Sequence, residues 1–304
     1  MQLCFPVLSR WQGWPLRDVL RQCGVSSTMI RGVKRAGGFW LNGQPVHTNQ
    51  VVSAGQQICF DLPAEPPTSV QPQALPLNIA YQDEHTLVLD KPAGMAVHPT
   101  LNYADGTLAN AWMGWMCSQG RQGVFRPVNR IDRNTSGLVL CAQNAFSAPL
   151  LAASVQKNYY AIVQGEMPLG TGFVEAPIGR APDSIILRRV SPEGKPSRTE
   201  YTVLASGAGL SLLRVVPVTG RTHQIRVHMA HIGHPLAGDD LYGGSQTLMA
   251  RHALHCGVLT FAQPITDLPC RVCSPLPQDM ADLTVRMGLD SEALAAWNLA
   301  PHNV

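Results

Sequence analysis

The stretch "DLPAEPPTSVQPQALP", from Asp61 to Pro76, constrains the fold more than any other part of the chain. Proline fixes φ and removes a backbone donor, so a segment this rich in it continues neither a helix nor a central strand. It is also poor in bulky apolar residues and therefore reads as a linker. The 304 residues are expected to divide into a head (1–62), a linker (63–76) and a body (77–304). That length suffices for one large and one small domain. No internal repeat and no other low-complexity tract interrupts either part.

The head is basic. It holds six Lys/Arg (Arg10, Arg17, Arg21, Arg31, Lys34, Arg35) against two acids (Asp18, Asp61), a net +4, whereas the remainder sums to −1. A cationic head on a near-neutral body fits a polyanionic partner, and it equally fits a solvated helix face. In "PLRDVLRQCG", Leu16, Val19, Leu20 and Cys23 share one helical face. The serines of "SSTMIRGVKRAG" can cap a second helix that turns Arg31, Lys34 and Arg35 outward. "GFWLNGQPV" then predicts a hairpin about the Asn42-Gly43 turn. The expected head is a small α/β module.

The body alternates apolar runs with turns. "TLVLDKPAGMAVHP" predicts strand, turn, strand. Gly137 to Ala142 reads as a buried strand, and "YYAIVQG", "TEYTVLASG", "LSLLRVVPV" and "GVLTF" as further ones. Helices are expected over 145–156, with Leu150, Leu151 and Val155 inward, and over 222–232, stopped by Gly233 and Pro235. Strands outnumber helices without a βαβ rhythm, so the expected class is α+β with a largely antiparallel mixed sheet. Hydrophobic residues make up 45% of the chain and charged ones 14%, the balance of a packed globular protein. No apolar run approaches the ~20 residues of a membrane helix. The N-terminus lacks the features of a secretory signal. Of the eight cysteines, several lie in apolar runs, as reduced core thiols do. A soluble cytoplasmic protein with no membrane partner is expected.

"VNRIDRNTSGLVLCAQN" places one acid, Asp132, between Arg130 and Arg133. Flanking guanidinium groups stabilise its charged form. An ionised carboxylate serves as a nucleophile or as a stabiliser of positive charge on a sugar carbon, and it serves equally as half of an ordinary ion pair in a turn. Thr135, Ser136 and Gly137 offer hydroxyl and amide donors to hold that loop. Arg221 and Arg226 lie in "VTGRTHQIRVH" at a helix start, where anions bind. Lys157 precedes Tyr159 and Tyr160. Guanidinium for phosphate, an aromatic face for a base and a carboxylate for a sugar make an inventory for gripping a nucleotide.

Several of these segments, in order, resemble the RluA-type pseudouridine synthases. "NRIDRNTSGLVLCAQN" is similar to their central motif, "LDKPAGMAVHP" to their first, "KNYYAIVQG" to the Lys-x-Tyr-x-Ala-x-Val-x-Gly segment, and "TGRTHQIRVHMAHIGHPLAGDDLYG" to the last large one. "GKPSRTEYTVL" and "ALHCGVLTFAQP" extend the match over residues 77–278, and such an ordered set is specific. The head resembles the S-four-like RNA-binding module that often precedes this domain. Asn129, Ile131 and Gln263 depart from the usual histidine, leucine and histidine, which bears on substrate preference more than on catalysis.

The resemblance implies a pseudouridine synthase-like catalytic domain that isomerises uridine to pseudouridine in ribosomal or transfer RNA. It implies Asp132 as catalytic carboxylate, Tyr159 against the base and near its C5 proton, and Arg226 paired with Asp132. Arg130 would help extrude the base and Arg221 would contact phosphate, with Thr135, His223 and Lys91 as further substrate-binding candidates. No cofactor and no metal are implied, and a monomer suffices. His223, His228, His231 and His234 crowd one helix and its end, but they sit in family motifs that need no metal. Cys270-Arg-Val-Cys273 lacks the second pair of a zinc site and reads as two core thiols. The Asp239-Asp240 pair reads as part of a turn. A rival reading is a catalytically silent RNA-binding or ribosome-assembly protein of the same fold, in which Asp132 would have no task.

Overall fold

The computed structural model describes residues 1–289 apart from positions 67, 102 and 183, so the last stretch assigned to the body lies outside the described residues. The head opens with β1 (Gln2–Pro6), α1 (Leu16–Gln22) and α2 (Ser27–Ala36). The strands β2 (Phe39–Leu41), β3 (Gln44–Val46) and β4 (Gln57–Asp61) follow. Ser26 caps α2 as expected, its side chain accepting from Met29 N at 3.1 Å, and Asn42 and Gly43 take the positive φ values of a tight hairpin turn. The sheet is larger than the single hairpin read from the sequence, with order β1-β4-β2-β3. Leu16, Val19 and Leu20 of α1 pack with Ile30 and Val33 of α2 onto Ile58 and Phe60.

One expectation about the cysteines fails here. Cys4 and Cys59 stand directly opposite on antiparallel β1 and β4, with Cα atoms 4.2 Å apart, and are joined as a disulfide. Cross-strand pairing brings side chains within bonding reach wherever two cysteines fall in register, and that register is invisible before the sheet is known. Cys273 is likewise exposed and no core thiol.

The body comprises β5 (Asn78–Gln82), β6 (Thr86–Lys91), α3 (Leu108–Ser118), β7 (Ser136–Ala142), α4 (Ser147–Ser154), β8 (Gln156–Gln164) and β9 (Gly170–Glu175). There follow β10 (Ile178–Arg180), β11 (Arg188–Val190), β12 (Arg198–Gly207), β13 (Leu210–Pro217), α5 (Gln224–His231), β14 (Leu254–Ala262), β15 (Pro269–Cys273) and α6 (Gln278–Arg286). Its main sheet has nine strands in the order β5-β6-β7-β14-β8-β13-β12-β9, with β15 added on β14. Among the described strands only β7 and β14 run parallel, so the fold is α+β with a largely antiparallel mixed sheet. All seven residues of β7 are buried, which is why it reads as a continuous apolar run.

The strand expected after the Pro92-Ala93-Gly94 turn does not form. The carbonyls of Ala96 and Val97 instead accept from Leu108 N and Ala109 N, at 2.9 and 3.1 Å. That segment satisfies the open donors at the start of α3 rather than a strand partner. Helix α4 starts two residues later than expected. Its Leu151 is fully buried in the body, whereas Leu150 faces the head core together with Phe146.

The linker composition is misleading in one respect. Its second half lies pinned along α3: Asn110 Nδ2 donates to Gln71 O at 2.8 Å and Gly106 N to Gln73 Oε1 at 2.7 Å. Arg126 pairs with Glu65. Head and body also share apolar surface, with Phe5 and Phe146 ring centroids 5.7 Å apart.

Candidate active site

The Asp132 loop enters the sheet where β6 ends and the parallel strands β7 and β14 begin. Gly137 at the head of β7 has φ +103°, and a Cβ there would collide with the backbone of Cys256, so only glycine lets the two strands close at this point. Two buried basic side chains hold the loop from beneath. Lys91 Nζ donates to Arg133 O at 3.0 Å and to Pro92 O at 2.8 Å. Arg251 Nη1 donates to Asn134 O at 3.0 Å, and its Nε and Nη2 grip Asp279 of α6. The loop closes on itself through Thr135 N to Asp132 O, 3.1 Å.

Above the loop opens a cavity of about 630 Å³. Asp132, Tyr159, Arg226, Arg130, Arg221 and His223 all contribute to its lining, so residues scattered over nearly a hundred positions converge on one cleft. Arg226 Nη1 donates to Asp132 Oδ2 at 3.2 Å, and His223 Nε2 lies 3.9 Å from the same oxygen. The Asp132 carboxylate is 27% exposed while the Arg226 guanidinium is 4% exposed: the acid faces the cavity and the base backs it. Burial alone would lower the Arg226 pKa, but the hydrogen bonds and charge of Asp239, with Asp132 behind, raise it above the ordinary arginine value. It stays cationic.

Tyr159 reaches the cavity from the middle of β8, opposite Cys256. Burial, followed by the Cys256 thiol, pushes its phenol well above the usual tyrosine value, so its O–H stays protonated at neutral pH. Burial likewise lowers the His223 pKa, against the pull of Asp132, which favours a neutral imidazole. His223 sits in the left-handed region at φ 57°, a strained conformation of the kind that collects at functional sites. Its Nδ1 meets the Tyr242 hydroxyl at 2.8 Å. Arg130 and Arg221 are exposed on the rim, and Arg221 leans on Pro196 O at 3.4 Å.

Two candidates from the sequence are placed differently. Lys91 is 1% exposed, and its two hydrogen bonds go to backbone carbonyls; it supports the loop and does not line the cavity. Burial, then Arg251, lowers its pKa to about 7. Thr135 borders the cavity, but its hydroxyl is engaged by His252 Nε2 at 2.8 Å, a ring that burial and nearby cations drive down to about 2 and hold neutral. Ring nitrogens of two other motif histidines bond within the protein: His228 to Thr199 Oγ1 at 2.8 Å and Ala176 O at 3.0 Å, His234 to Gln164 O at 2.9 Å. Among the described residues no three His, Cys, Asp or Glu side chains cluster as metal ligands do.

Sequence reasoning passed over three participants. Asp239, read only as a turn residue, is fully buried and grips Arg226 at two points. Tyr242 lays its ring against the Arg226 guanidinium, 5.0 Å from centroid to Cζ. Arg251 carries no motif signal beyond its nearness to "ALHC".

The sequence pattern of the RNA pseudouridylate synthases matches residues 85–231, which include Asp132, Tyr159 and Arg226. The uncharacterized RNA pseudouridine synthase YjbO of Bacillus subtilis is 36% identical, covering 88% of this chain and 97% of that one. The chain belongs to the RNA pseudouridylate synthase family. Ribosomal large subunit pseudouridine synthase D of Pseudomonas aeruginosa is 37% identical over 88% of this chain and 89% of its own. The solved human RNA pseudouridylate synthase domain containing 1 superposes with a TM-score of 0.55 at 26% identity, over 74% of this chain and 98% of that structure. The synthase is thus an isomerase that acts on RNA. Among its described residues no helix is long and apolar enough to cross a membrane.

Proposed function

We propose that this synthase converts a uridine of ribosomal RNA to pseudouridine in the cytoplasm, acting as a monomer, with Asp132 as the reacting carboxylate. The observation that carries this reading is the Asp132–Arg226 pair: a partly exposed carboxylate at the mouth of a nucleotide-sized cavity, backed by a buried cation 3.2 Å away. A protein that only bound RNA would gain nothing from a carboxylate facing phosphates. The ribosomal assignment follows relatives named for the large subunit; transfer RNA is the second substrate to test.

The nucleotide must leave its stack to enter the cavity, which costs a few kcal/mol. Arg130 on the rim would fill the space the base vacates, and Arg221 would take a backbone phosphate. Inside, the N1–C1′ bond breaks, the uracil turns, a C5–C1′ bond forms, and the C5 proton is exchanged for one on N1. The atoms balance without an outside oxidant or reductant, so the reaction calls for no cofactor. Asp132 would bond transiently to the ribose or the base while Arg226, 3.2 Å away, keeps it aimed. The buried Tyr159 would pack against the uracil, its oxygen taking the C5 proton as its own O–H proton passes on toward N1. Confinement of the detached base would supply much of the rate, since well-oriented intramolecular reaction is worth ~7–11 kcal/mol. The head would add affinity through its cations.

The test is purified protein with transcribed ribosomal RNA and with transfer RNA, pseudouridines being mapped by carbodiimide adducts. Wild type is expected to modify a discrete uridine, and Asp132→Ala to modify none while binding the same RNA with little change in affinity. Uridines left intact by wild type in both RNAs would favour the silent RNA-binding reading.

A further inference from the structure

Arg226 has five N–H donors on a planar frame, so anchoring two of them fixes where the others point. The anchor is Asp239. Arg226 Nε donates to Asp239 Oδ2 at 2.8 Å and Nη2 to Oδ1 at 2.7 Å, while the bond from Nη1 to Asp132 is longer, at 3.2 Å. Asp239 is itself immobilised. It is fully buried, Leu241 N donates to its Oδ1 at 3.2 Å, and its backbone oxygen takes Gly244 N at 2.7 Å. A Cβ at Gly244 would strike Leu236 O and the Asp239 backbone, so the turn tolerates no bulk there. The same turn delivers Tyr242, whose ring lies against the guanidinium and whose hydroxyl meets His223. One turn, residues 238–244, therefore sets both groups that face Asp132 Oδ2.

We infer that Asp239 is a positioning residue for the isomerisation: through Arg226 it aims a single N–H at Asp132 and prevents the guanidinium from clamping both carboxylate oxygens. Two acids share one cation, so the trio keeps a net negative charge and the Asp132 carboxylate is held without being fully neutralised. Released from Asp239, the planar fork would turn to grip Asp132 at two points or leave it altogether, and either movement removes the reacting oxygen from the nucleoside. This inference rests on the reading of Asp132 given above.

The test is Asp239→Asn in the full chain, assayed on the RNA that wild type modifies, with melting temperature and RNA affinity measured alongside. Expected are a 10- to 100-fold lower kcat with an unchanged KM and affinity, a split that a merely structural role would not give. Asp239→Glu keeps the charge but lengthens the arm, and is expected to fold yet lose at least tenfold in kcat. A wild-type kcat in folded Asp239→Asn would overturn the inference. So would a wild-type kcat in Asp239→Glu when the asparagine variant fails to fold, or the failure of both to fold, since the carboxylate would then serve the fold alone. An inactive wild type would instead remove the proposed function, which separates the two failures.

Discussion

The head and the cleft use the same residue types to opposite ends. On α1, Arg21 meets Asp18 at 3.4 Å with the arginine mostly and the aspartate partly in water, and on α2 the cations Arg31, Lys34 and Arg35 are exposed. Such pairs contribute at most ~1 kcal/mol and are screened by salt. In the cleft, Arg226 and Asp239 meet at 2.7 Å with almost no exposure. There, desolvation makes each charge expensive unless its partner is in place. Solvation, not residue identity, decides whether a charge serves as a diffuse attractor or as a fixed part.

That contrast is tested hardest at Arg226. Arg226→Gln leaves Asp239 buried without its cation and Asp132 without its backing. Loss of pseudouridine formation to background is expected, with a destabilisation of about 3–5 kcal/mol by urea titration, the usual cost of breaking a buried pair. A variant that stayed as stable as wild type would mean that the cleft charges behave like those of the head.

Lys91 sharpens the contrast through pH. Its folded-state pKa of about 7 lies below the 10.5 of an ordinary lysine. Between those values the unfolded chain binds a proton that the folded chain does not, so this group makes stability rise with pH from about 7 to about 10.5 and is flat below. A neutral amine has two N–H donors, which match the two carbonyls it serves. Lys91→Met should abolish this rise, read as the difference between the two stability curves. It should also lower kcat about tenfold, because Arg133 O loses a donor and the Asp132 loop loosens. A difference curve with no slope would mean that Lys91 is solvated, as the head cations are.

What the sequence disclosed follows the same division. Motifs singled out Asp132, Tyr159 and Arg226, which the fold gathers on one cleft, and the hairpin about Asn42-Gly43 and the Ser26 cap were legible from local turn and cap chemistry. Helix α3 was not: "LANAWMGWMCS" is apolar nearly all round, since the pinned linker covers one side and the core the other, so no polar stripe marks its period. The burial of Lys91 was not legible because lysine is rarely buried, and its carbonyl partner on Arg133 lies 42 positions on. Asp239 was read as a turn, which it is. That the turn exists to hold Arg226 depends on a pairing between elements that no local pattern records.

The smallest effect belongs to the head, and the fold dictates how to look for it. Removing residues 1–70 would be a poor probe, because Phe146 and Leu150 would lose the head core they pack against and Arg126 would lose its partner Glu65. Replacing Arg31, Lys34 and Arg35 by glutamine leaves Ile30 and Val33 in place and changes only exposed charge. If these three cations displace counterions from RNA, the slope of log affinity against log salt should flatten by about 0.7 for each phosphate no longer neutralised, or about 2 in all. At saturating RNA kcat should not move, because nothing in the cleft has been touched. A lower kcat with an unchanged salt slope would mean that the head acts on the cleft through its docked face rather than on RNA through its charge.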